Sequence, residues 1–283
     1  MLCGLTIRQW SARRLDRKVT DEVNASHGAA ADAGRYNKAL VAKDALAGIV
    51  TAANAARSLH YARTLPWLDE GARILPAAGF EAYSNAMRDL RHAFEAAVAA
   101  FVAAYPSYVD DARLRLNGMF DPADYPDAAD IADRFAFGVR ILPVPDASDF
   151  RVDLADAQAA EIRAAIESAA RDALANATRD AWQRVAEVTG RMVERLNAYK
   201  PGGATGRAEN VFRDSLVENV RELASILPGL NLTNDPALSR IAERMESDLC
   251  QHDAADLRDS DVLRRDTAKA AAAILAEVSD FLA

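Results

Sequence analysis

Cysteine is nearly absent: Cys3 and Cys250 are the two thiols in 283 residues. So sparse a set builds no disulfide framework and shows no paired zinc spacing, which predicts a reducing compartment. Long apolar runs are missing as well. Charges interrupt even the Ala-rich stretches, so no segment approaches the roughly 18 apolar residues that span a bilayer, and Arg8 follows too soon for the opening residues to read as a signal peptide. This excludes a membrane as partner. Lysine is confined to positions 18, 38, 43, 200 and 269, leaving arginine as the main cation. Acidic residues outnumber basic ones by 42 to 34, for a net charge of -8, which excludes a globally electropositive surface for wrapping nucleic acid. A local basic patch stays open. Aromatics are 7% and glycines 13, while long proline-free stretches are crowded with Ala, Leu and Arg, a composition that favours helices.

What is present divides into distinct kinds of text. Residues 5–12 alternate Leu5, Ile7 and Gln9 against Thr6, Arg8 and Trp10 and read as a strand. The chain then turns basic at Arg13, Arg14, Arg17 and Lys18, before a polar stretch over 21–34. Residues 36–61 carry Leu46, Ile49, Ala53 and Ala56 at helical spacing. A compact connection with Trp67 as an apolar anchor follows. A long helix is predicted over 80–105, resuming to 116, because Tyr83, Met87, Leu90, Phe94, Val98, Phe101 and Tyr105 recur every three or four residues. Residues 135–142 and 149–153 look extended, and with the first strand they predict a small antiparallel sheet.

The most uniform segment, 156–199, predicts a third long helix. Trp182, Val185, Thr189, Met192 and Leu196 alternate spacings of three and four in the manner of a coiled-coil seam. The 80–116 helix is the natural antiparallel partner for it. Residues 200–209 read as a flexible loop, and three further helices fit 210–283, with Asp235-Pro236 and Ser260 as caps. The expected fold is therefore mainly α: an elongated antiparallel pair of long helices with a small β element in 1–199, then a C-terminal helical bundle.

Chemistry-bearing patterns are sparse. Asp121, Asp124, Asp127, Asp130 and Asp133 fall every third residue, but steps of three drift around a helix, and the run lacks the ligand spacing of a calcium loop, so capping and solvation are expected and no metal. Cys250 and His252 lack the further groups that a metal site or nucleophile requires. His27, His60 and His92 stand in no metal pattern, the serines lack a nucleophile elbow, and the 200–209 glycines lack the Gly-Lys-Ser/Thr ending of a phosphate loop. No catalytic residue or cofactor is assigned, and an enzyme is disfavoured.

The wording Ile7-Arg-Gln-Trp-Ser-Ala-Arg-Arg14, His60-Tyr-Ala-Arg-Thr-Leu-Pro-Trp-Leu68, Phe120-Asp-Pro-Ala-Asp-Tyr-Pro126 and Pro143-Val-Pro through Asp149-Phe-Arg151 resembles bacteriophage and prophage proteins of the DUF3150-like family, over roughly the first half of the chain. The resemblance implies a phage accessory protein in the host cell cytoplasm, encoded in some cases near AAA+ ATPases, and carries no catalytic residues. The expectation is a non-enzymatic scaffold or adaptor that binds a protein partner, itself or an AAA+ ATPase, along the candidate seam of Trp182, Val185, Met192 and Leu196. The alternative is a DNA-binding accessory protein that neutralises phosphates with Arg8, Arg13, Arg14, Arg17 and Lys18.

Overall fold

A computed structural model describes residues 1–68, 71–144, 156–202 and 207–282. In chain order the elements are strand β1 (Leu2–Arg8), β2 (Arg13–Leu15), helix α1 (Arg17–Ser26), β3 (Asn37–Ala39), α2 (Ala47–Arg63), β4 (Leu65–Pro66), β5 (Ala72–Ile74), α3 (Phe80–Leu116), β6 (Ala136–Leu142), α4 (Asp156–Ala198), α5 (Ser215–Leu230), α6 (Pro236–Arg244), a π turn (Met245–Leu249), α7 (Ala254–Asp259) and α8 (Asp261–Leu282). The protein is mainly helical with small sheets. The expected strand at 149–153 lies outside the described residues.

The chain divides into two compact units. One comprises Met1–Gly4, Arg63–Glu81 and Ile141–Ala283; the other comprises Leu5–Ala62 and Ala82–Arg140. α4 packs with the C-terminal helices in the first of these units.

In the first unit α4 packs against α8 along most of that helix and against α5. Its buried positions are Ala173, Ala177, Ala181, Val185, Thr189, Met192 and Leu196, joined by Trp182. The upstream alanines continue the same stripe in miniature, and α8 buries Ala268, Ala271, Ile274 and Val278. The two helices run antiparallel: Gly190 lies beside Leu275 and Tyr199 beside Arg264. Trp182 stacks on Phe281 with ring centroids 4.4 Å apart and planes 6° off parallel. The expected pairing of the two long helices is thus corrected: α4 takes α8 and α5 as neighbours, while nearly all of α3 belongs to the other unit. An amphipathic stripe specifies that it must be covered, without specifying by which helix. At the C-terminal end the expected caps form, with Asp235 accepting from Ala237 N–H at 2.8 Å and Ser260 Oγ from Leu263 N–H at 3.3 Å. Arg264 is buried yet satisfied: it donates to Leu257 O and to Asp261 and lies 4.8 Å from the Tyr199 ring centroid.

The second unit is built on α3. Phe94, Phe101 and Tyr105 on one face of this helix join Ile49, Ala52 and Ala53 of α2 and Ile131 and Phe135 in one core. Trp10 packs edge-on to Tyr105 and tilted to Phe101. Two local expectations are corrected. The 36–61 helix begins only at Ala47, because Asn37–Ala39 pair antiparallel with Arg13–Leu15. Part of the polar 21–34 stretch is helical, since α1 starts where Asp16 Oδ1 accepts from Val19 N–H at 3.1 Å.

The four-stranded sheet has the order β4-β5-β1-β6. Leu2–Gly4 of β1 pair antiparallel with Ala72–Ile74, as Leu2 with Ile74 and Gly4 with Ala72. Among the described strands β6 is therefore an edge, and its last residues, Ile141 and Leu142, are exposed. The seam residues generate the first prediction. Met192→Ala, which empties a fully buried site, lowers stability by about 2–5 kcal/mol in chemical denaturation. An unchanged midpoint refutes its role in the core.

Candidate functional site

The four residues expected as a partner seam are spent inside the monomer. Trp182, Val185, Met192 and Leu196 are all buried on the face of α4 that α8 and α5 cover, so as they stand none presents a surface to a partner. Within the chain, their periodicity serves the packing of α4 against α8 and α5.

Two of the basic N-terminal residues have partners within the chain. Arg8 donates to the Asp133 carbonyl at 2.5 Å, and Arg14 pairs with Asp124 at 3.3 Å. Arg13, Arg17 and Lys18 are exposed, with no ion pair among the described residues. The dominant charged feature here is one that sequence reading passed over. Lys38 on β3 is 6% exposed, and its ammonium lies 2.7 Å from Asp124, 3.5 Å from Asp16 and 2.7 Å from the Met119 carbonyl, to which it donates. It joins the β2–β3 ribbon, the cap of α1 and the turn after α3. Burial by itself lowers the Lys38 pKa, but the hydrogen bond and charge of Asp124, followed by those of Asp16, outweigh it and leave the pKa raised above 10.5. The only signal in the sequence was a lysine in an arginine-dominated chain.

The aspartate run resolves into separate local tasks. Asp121 caps a short 3₁₀ turn by accepting from Ala123 N–H at 3.0 Å, and Asp124 holds Lys38. No group of three or more His, Cys, Asp or Glu side chains able to hold a metal occurs among the described residues. Cys250 is half-buried, and burial raises its thiol pKa against the opposing charge of Arg221, so it is not an activated thiolate. His60 is buried with Nδ1 2.8 Å from the Tyr83 hydroxyl, a packed polar pair. Among the described residues no helix is long and apolar enough to cross a membrane.

The second unit has a cleft of about 530 Å³ between α3 and the start of β6. Phe94, Val98 and Val102 form its helical wall, and Phe135 and Phe137 form the other. The walls are fixed by rings: Phe94 and Phe137 have centroids 5.6 Å apart, and the Arg91 guanidinium sits 5.7 Å from the Phe137 centroid. Glu95 is the one ionisable group in the lining, so the cleft can take up apolar side chains and offers no acid–base pair. The sequence contained the helical half of this wall in the 80–105 stripe, but not its incomplete coverage.

Comparison with protein-family models, curated proteins and solved structures finds no match. The likeness to phage proteins thus finds no support there.

The polar geometry generates two predictions. Lys38→Met strands Asp16 and Asp124 without their buried cation and costs about 3–5 kcal/mol in urea denaturation. Tyr105, which donates to the Pro126 carbonyl at 3.0 Å, has its pKa pushed by burial, then by Tyr125 and Asp127, from 10.0 up to about 12. A group that holds its proton more tightly when folded contributes fully below its unfolded pKa and loses that contribution as pH rises through its folded pKa. The Tyr125 and Lys38 pKa values are raised in the same direction. Stability should fall as pH rises from 10 to about 12, and Tyr105→Phe should flatten that slope. An unaltered slope in the variant assigns the alkaline loss elsewhere.

Proposed function

We propose that the chain is a non-enzymatic scaffold or adaptor that engages a partner by strand addition along β6, and that the partner is a second copy of itself. The observation that carries this reading is the coincidence of an edge strand with an unfilled apolar cleft at its flank. A strand laid beside Ala136–Arg140 would satisfy the edge left open among the described strands and cover the exposed α3 residues Ala99 and Ala103, which line the same cleft. The strand sequence favours its own copy. With a two-fold axis at Gly138, antiparallel pairing sets Phe137 opposite Val139 of the second copy and Arg140 opposite Ala136, so no like-charge pair forms. Arg140 is also the only charge on the strand, and edge strands that stay single ordinarily carry more.

The DNA reading is weaker, because two of its five cations are engaged internally and the whole chain is acidic. It predicts low-salt oligonucleotide binding that Arg13→Ala, Arg17→Ala and Lys18→Ala together abolish, read by fluorescence anisotropy.

Light scattering on a sizing column tests the leading reading. A dimer is expected at micromolar concentration, and Ala99→Glu with Ala103→Glu, both at exposed positions, should yield a folded monomer by circular dichroism. A monomer at every concentration, or a dimer indifferent to these substitutions, overturns it.

A further inference from the structure

The first unit carries a second concavity of different character, a cleft of about 300 Å³ between the C-terminal half of α4 and the start of α5. Its charged lining is three arginines with no carboxylate: Arg191 and Arg195, one turn apart on α4, and Arg213 just before α5. In a chain of net charge -8 such a grouping is the reverse of the background. Arg195 and Arg213 have no ion pair among the described residues, and Arg191 has only a 3.9 Å approach to Glu187, with both side chains about two-thirds exposed. Asp214, next to Arg213, is already taken, since it accepts from Arg258 at 2.8 Å, and Glu194, next to Arg195, is not in the lining. Three guanidinium groups around one hollow repel one another unless an anion is placed among them, and guanidinium is the side chain best matched to phosphate oxygens.

The rest of the lining is not charged. Ser215 and Asn219, one turn apart on α5, supply a hydroxyl and an amide. Val211 is 57% exposed beside Leu216, and Phe212 forms a fixed floor, its ring 5.3 Å from Tyr199 and 5.6 Å from the Arg258 guanidinium. Cations at one side and an apolar ledge at the other match a ligand with a polyanionic head and a flat, partly apolar body.

We propose that this cleft binds a small phosphate ester of the nucleoside diphosphate type. The phosphates lie among Arg191, Arg195 and Arg213; the body rests on Val211 and Leu216 within reach of Asn219. This site is independent of the β6 edge and stands whether or not the chain dimerises.

Isothermal titration of the full chain with ADP, inorganic pyrophosphate and adenosine, in metal-free buffer at physiological ionic strength, tests it. ADP should bind, pyrophosphate more weakly, and adenosine not detectably. Arg195→Ala with Arg213→Ala should weaken ADP by about a hundredfold, roughly tenfold for each guanidinium removed. Both side chains are exposed, so the variant should keep its circular dichroism. Val211→Glu, which sets a carboxylate in the cleft without removing an arginine, should also abolish binding. Failure of both ADP and pyrophosphate to bind overturns the proposal, as does ADP binding that survives either variant. Pyrophosphate binding as tightly as ADP overturns the role given to the apolar ledge.

Discussion

A helix of about forty residues with an apolar stripe cannot bury that stripe on itself, and both units of this protein are answers to that constraint. α4 and α3 are 43 and 37 residues long, and each buries its stripe against other elements. Around α4 the cover is mostly helical, from α8 and α5 with β4 beside them, and Gly190 brings α4 close to Leu275 of α8. Around α3 the stripe is aromatic, and the cover is mixed: α2, Trp10, and the segment from Ile131 into β6. Ring-to-ring contacts take the place of interlocking aliphatic side chains there.

Mixed cover is also what leaves the second unit incomplete. α2 covers its part of α3, whereas β6 is the last of the described strands in the sheet and leaves Ala99 and Ala103 on α3 exposed. The apolar cleft is thus a consequence of the way the stripe is covered, and it lies beside a strand whose outer hydrogen-bonding groups have no neighbour among the described strands. These two conditions support the scaffold reading together; separately, either would be an ordinary surface feature.

Charge in this protein does more structural than recognition work where it is buried. Lys38 ties three segments that the aromatic core does not hold, and Arg264 satisfies carbonyls at the end of α7. Two of the five N-terminal cations are similarly committed to local partners. The three arginines between α4 and α5 differ in lacking such commitments to the fold, and this difference is what singles them out.

Periodicity was enough to determine the helical class, the long helices α3 and α4, the shared face of Trp182, Val185, Met192 and Leu196 though not what covers it, a strand near the N-terminus and one near 135–142, and the caps at Asp235 and Ser260, because spacing along a chain translates directly into which side chains share a face. Helical start signals also lay in the sequence at Asp16, but a short polar helix offers no apolar stripe to confirm them. Tertiary structure decided the rest. It chose α8 over α3 as the companion of α4, placed β4 and β5 in the sheet, gathered Asp16, Lys38 and Asp124, and set Arg213 across from Arg191 and Arg195. Such choices depend on long-range complementarity of shape and charge between segments, and a one-dimensional pattern records that a face needs a neighbour without recording which neighbour fits.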